Sequence, residues 1–92
     1  MKHGYVLTEE QGTGSFTWDR TRARVEVTGD VTDLTEGLRT WAIETATREQ
    51  YDDGRYSAYL VELDANSRYD THNALAFEEI LWFYGQEHVP AS

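Results

Sequence analysis

From Arg22 to Thr28 apolar and polar residues alternate strictly, with Ala23, Val25 and Val27 on one side of an extended chain. Further upstream, Tyr5-Val6-Leu7-Thr8 is a short strand candidate. Gln11-Gly12-Thr13-Gly14 is a turn signal, and Ser15-Phe16-Thr17-Trp18 is the partner strand. The alternation changes phase on the way: Phe16 and Trp18 are even-numbered, whereas Ala23, Val25 and Val27 are odd. A straight strand would send the two sets to opposite faces. Asp19-Arg20-Thr21 is therefore expected to be a tight turn or a bulge.

Beyond Gly29-Asp30 the period lengthens. Leu34, Leu38 and Trp41 form a helical stripe flanked by Ala42 and Ala46, and Ile43 falls opposite it. Thr32 or Asp33 is the expected cap, with Glu36 three residues beyond Asp33, and the helix is expected to run to about Gln50. Gly37 inside it is a mild penalty that is expected to let a neighbouring backbone approach. After the turn Asp52-Asp53-Gly54, the segment Tyr56 to Leu63 is apolar on both faces, as a strand inside a sheet would be. Asp70 or Thr71 is then expected to cap a second helix ending near Tyr84, with Gly85 just past its end and Pro90 beyond. The expectation is one α+β domain over residues 1–92. It has a β-β-β-α-β-α order, a mainly antiparallel sheet of about four strands, and two helices packed on one face.

On that second helix, Ala74, Phe77, Ile80, Leu81 and Tyr84 would form the core stripe. Leu75 and Trp82 would face outward among Glu78, Glu79 and Gln86. An apolar pair in an acidic rim is how many protein interfaces are built. The expected partner-binding residues are accordingly Leu75, Glu78, Glu79 and Trp82, with Asp70 nearby.

Charge sharpens this picture. The net charge of −9 arises wholly after residue 29, where thirteen Asp or Glu face four Arg; residues 1–29 balance four against four. Such a chain repels nucleic acid and lipid headgroups and attracts basic proteins. Arg20, Arg22 and Arg24 make one small basic patch, so direct nucleic-acid binding is not expected. Carboxylates on a compact surface can stand in for phosphates in a basic groove, gaining affinity from the same charge neutralisation. In size and charge alone, the chain resembles small phage inhibitors of host defence (anti-restriction and anti-CRISPR proteins) and acidic immunity proteins that block basic nucleases. That resemblance implies an inhibitor or regulator of a basic, nucleic-acid-handling partner.

The chemistry-bearing motifs are few. The chain has no cysteine, which excludes disulfides, thiolate metal sites and thiol nucleophiles. Asp64-Ala65-Asn66 begins like a calcium loop, but Arg68, Tyr69 and Leu75 stand where oxygen ligands and glycine are needed. Gly12-Thr13-Gly14 is not followed by the helix of a phosphate-binding loop. His3, His72 and His88 are the only neutral-pH bases, and no spacing joins them to a nucleophile. No enzyme activity, cofactor or metal is expected, nor a membrane span, and a cytoplasmic location is. The alternatives are a self-associating scaffold or homodimer, or a small enzyme or ligand-binding domain with Tyr56, Tyr59 and His72 around a pocket.

Overall fold

A computed structural model describes residues 2–89. Five antiparallel strands form one sheet in the order β2-β1-β3-β4-β5. They are β1 (Lys2–Thr13), β2 (Phe16–Val27), β3 (Gly54–Leu63), β4 (Ala76–Phe83) and β5 (Gln86–Glu87). Among the described residues a single helix, α1 (Val31–Arg48), lies across one face, over β1, β3, β4 and β5. The α+β class and the antiparallel sheet are as the sequence suggests. One helix stands in place of the two expected and five strands in place of about four, in the order β-β-α-β-β-β instead of β-β-β-α-β-α. The second and third expected strands are one continuous strand, and the second expected helix is a strand.

The opening hairpin is longer than its apolar residues imply. β1 and β2 pair from His3 opposite Val27 to Thr13 opposite Phe16, joined by Gly14-Ser15. Gly14 has φ of 68°, a positive value at the first loop position, which suits glycine in a type II′ turn. The phase change between Trp18 and Ala23 is a bulge rather than a turn. Leu7 faces Ala23 and Thr8 faces Thr21, so Arg22 is the extra residue. The bulge returns both apolar sets to one face.

α1 is capped by Asp30, not by Thr32 or Asp33: the Asp30 carboxylate accepts the Thr32 amide at 2.8 Å. Its buried side is Leu34, Leu38, Ala42, Thr45 and Ala46. These pack on Tyr5 and Leu7 of β1, Tyr56, Ala58 and Leu60 of β3, and Ile80 and Trp82 of β4. What approaches Gly37 is a side chain and not the expected backbone. The Tyr5 hydroxyl reaches over it to donate to the Leu34 carbonyl at 2.6 Å, in the buried interior. β3 occupies the middle of the sheet, as its two apolar faces require.

The expected second helix is a strand. Asp70 does act as a cap, accepting the His72 amide at 2.9 Å, but only one 3-10 turn follows (Thr71–Asn73) before Ala74 returns to extended backbone. Residues Ala76–Phe83 then pair with β3, Tyr59 opposite Phe77 and Tyr56 opposite Ile80. The segment is apolar on both faces, so its pattern fits either period, and its aromatic and branched residues suit a pleated surface. The glycine signal misleads for a related reason. Tyr84 and Gly85, both with positive φ, form the two-residue turn between β4 and β5, and a type I′ turn needs that geometry as much as a helix end does. Pro90, expected beyond the helix, lies outside the described residues.

The face of the sheet away from α1 carries a smaller cluster of Val6, Val61 and Leu63. The loop between β3 and β4 folds over it through Tyr69 and Ala74. Arg24 secures that loop, stacking on the Tyr69 ring at 5.0 Å and donating to the Ser67 carbonyl at 2.8 Å.

Candidate protein-binding surface

The strand phase of β4 disperses the predicted interface. Trp82 is the correction with most consequence: it points under α1 and is 1% exposed. Ile80, next to it on the same side of the strand, is also buried, whereas Phe77, expected in the core, is 51% exposed. Glu78 lies on the helix side and is ion-paired with Arg39 at 3.0 Å. Leu75 and Glu79 share the opposite, open side with Phe77, and both are exposed. Asp70 sits at the far end of the connecting loop, spent on capping the 3-10 turn and holding the Asn73 side chain at 3.0 Å. The five residues thus divide between two faces and a loop. Leu75 and Glu79 alone retain the outward placement, beside a tilted Tyr59–Phe77 ring pair 5.3 Å apart.

The pocket imagined around Tyr56, Tyr59 and His72 is likewise not assembled. Tyr56 and Tyr59 are three residues apart on one strand and face opposite sides of the sheet. A cleft of about 460 Å³ lies instead beside the β3–β4 loop, between Glu62, Asp64, Arg68, Tyr69, Asp70 and Asn73. Among the described residues no three His, Asp or Glu side chains converge as metal ligands would. Among the described residues no helix is long and apolar enough to cross a membrane.

One polar cluster escaped the sequence reading. Glu9, only 8% exposed, accepts from Arg22 at 2.5 Å and from the Tyr56 hydroxyl at 3.3 Å. Arg22 in turn covers the Tyr51 ring at 4.4 Å, and Tyr51 stacks on Tyr56. The bulge makes this possible by turning Arg22 toward the helix side. The signal was present as the phase change, but only the register shows which residue is extra. Burial raises the Tyr56 hydroxyl well above its ordinary pKa, and the Glu9 charge reinforces the shift. The bond to Glu9 raises Arg22 as well. Every strong group here has a partner within the cluster, which suits bracing of the helix end more than chemistry on a substrate.

The acidic surface is coherent. Of the thirteen acids after residue 29, Glu49, Glu78 and Glu87 are ion-paired. Arg39 holds both Glu78 and Glu87, Arg48 holds Glu49, and Arg55 reaches Glu10 on β1. Three of the four Arg after residue 29 are thereby occupied. Asp33, Glu36 and Glu44 are exposed and, among the described residues, make neither an ion pair nor a side-chain hydrogen bond. At 100° per residue the three lie within about 80° of one another on the solvent side of α1. Asp30 stands at the start of the same helix. No protein-family model, curated protein or solved structure matches this chain.

Proposed function

We propose that this chain is an acidic protein-binding module that inhibits or regulates a basic, nucleic-acid-handling partner, and that the solvent side of α1 is its contact surface. The observation that carries the reading is the row Asp33, Glu36 and Glu44, exposed on one side of α1 and, among the described residues, without an ion-pair partner. A rise of about 1.5 Å per residue spreads these carboxylates over roughly 16 Å. That is about the length of five nucleotides along one strand of a duplex. A groove built to neutralise phosphates gains from them as it does from nucleic acid. Leu75, Phe77 and Glu79 lie on the other face of the sheet and do not belong to this surface.

The test is capture from a lysate of the source cell by the wild type and by the Asp33→Asn, Glu36→Gln, Glu44→Gln triple variant. The wild type should retain a discrete basic protein that releases as salt rises, because exposed charge attraction is screened. The triple variant, folded by circular dichroism, should lose it at low salt. Equal retention by both proteins, or retention indifferent to salt, overturns the reading.

A further inference from the structure

β2 is an outer strand of the sheet, twelve residues long and free of proline. α1 lies mainly over β1 and β3 to β5; Ala23 and Val27 of β2 are half-buried against its core, and the remaining apolar residues on the helix side of β2 are exposed. Phe16 is 73% exposed there, Trp18 53% and Val25 41%. An open strand edge lined with apolar side chains is a template for another strand.

The register shows which strand fits. Phe16, Trp18 and Arg20 lie opposite Thr13, Gln11 and Glu9, while Ala23, Val25 and Val27 lie opposite Leu7, Tyr5 and His3. All six β1 partners are odd-numbered, so all six β2 residues share one side. The bulge at Arg22 is the reason. In a two-fold antiparallel pairing, residues directly opposite each other must share a side. An unbroken strand can then match only residues an even number apart. This strand can match residues an odd number apart across its bulge.

We infer that β2 pairs with β2 of a second copy about a two-fold axis between Thr21 and Arg22, joining two sheets into one. In this register Phe16 faces Val27 of the partner copy, Trp18 faces Val25, and Asp19 faces Arg24, each pair occurring twice. Exposed Phe16, Trp18 and Val25 and half-buried Val27 cover one another on the helix side, and the charges are complementary on the open side. Sliding the strands by two residues one way sets Asp19 opposite Glu26 and strands Phe16. Sliding them the other way sets Arg24 opposite Thr17 and strands Val27. Net charge favours the same edge. The excess acid lies wholly after residue 29, and the balanced first 29 residues form the hairpin, so two strongly negative copies meet where neither carries net charge. The inference is independent of the acidic row on α1, which stays exposed in the dimer.

Sedimentation from micromolar to millimolar concentration tests it. The wild type should show a monomer–dimer equilibrium. Asp19→Arg places Arg against Arg at two symmetric positions and should weaken the dimer about tenfold or more; Arg24→Asp should do the same and also release the β3–β4 loop from Ser67 and Tyr69, a loss that Arg24→Gln reads separately. The double exchange should restore it. A wild type monomeric throughout, a dimer indifferent to Asp19→Arg, or folded single variants not rescued by the exchange overturns the proposal. Register is read separately in a chain without cysteine of its own. An oxidised mixture of Thr17→Cys and Glu26→Cys proteins should form the mixed disulfide, and Thr17→Cys alone should not. Equal cross-linking in both samples overturns the register.

Discussion

Replacing Trp82 by alanine separates the strand phase of β4 from a helical one more sharply than any other change. In the helical phase Trp82 faces solvent and Phe77 the core; in the strand phase the two exchange. The structure buries Trp82 to 1% exposure between α1 and the sheet and leaves Phe77 half exposed beside Tyr59. A buried tryptophan hides about 150–250 Å². At about 25 cal/mol per Å² that is worth roughly 4–6 kcal/mol. The unfolded chain already hides part of this area, which lowers the figure to about 3–5 kcal/mol, the usual cost of such a truncation. A domain of this size holds about 5–10 kcal/mol in all. Trp82→Ala should therefore remove close to half of the stability and lower Tm by about 12 °C or more. Phe77→Ala should cost about 1 kcal/mol, for its share of the aromatic pair. Urea titration followed by far-UV circular dichroism reads both variants without relying on the deleted fluorophore. A Trp82→Ala chain already unfolded in water counts as the large loss. A Trp82→Ala cost below that of Phe77→Ala would refute the strand assignment and the core built on it.

Two further outcomes follow from the interior. Gly37→Ala gains about 1 kcal/mol of helix propensity, but its Cβ would stand 3.0 Å from the Tyr5 hydroxyl. Disturbing that buried bond costs about 1–3 kcal/mol, so the variant should be destabilised in the wild type and stabilising in a Tyr5→Phe background; thermal melts that show stabilisation in both would remove the close approach from the account. Tyr5, Tyr51 and Tyr56 all have raised pKa values, chiefly from burial. The folded state holds these protons more tightly than the unfolded chain, so stability is intact below about pH 10 and falls as pH rises through the folded values. Tm measured from neutral pH upward should decline above that point, and a flat profile would contradict the burial of these hydroxyls.

Much of the architecture is legible in local chemistry. Strict alternation marks the second half of β2, the stripe from Leu34 through Trp41 marks α1, and two apolar faces place β3 inside the sheet. Even the bulge announces itself, because Phe16 and Trp18 fall out of phase with Ala23, Val25 and Val27. Each of these signals is periodic, and a period is a property of neighbours along the chain. The excess of acid after residue 29 is equally a matter of sequence.

Residues Ala74 to Tyr84 are where that logic ends. Apolar side chains recur there so densely that helix and strand periods both fit, Asp70 caps a turn that never lengthens, and a positive-φ glycine serves a hairpin as well as a helix end. Tertiary structure decides: β3 offers an open edge, pairing with it satisfies the backbone of Ala76–Phe83, and α1 covers the side that carries Ile80 and Trp82. That choice turns Trp82 inward and Phe77 outward, and disperses the expected Leu75, Glu78, Glu79, Trp82 and Asp70 surface. The placement of Arg22 against Glu9 also needed the register, since a bulge shows in the sequence as a lost phase but its extra residue is named only by the partner strand. Composition set how acidic this protein is. Which carboxylates stay unpaired, and on which side they stand, was settled only when Arg39, Arg48 and Arg55 found their partners in space.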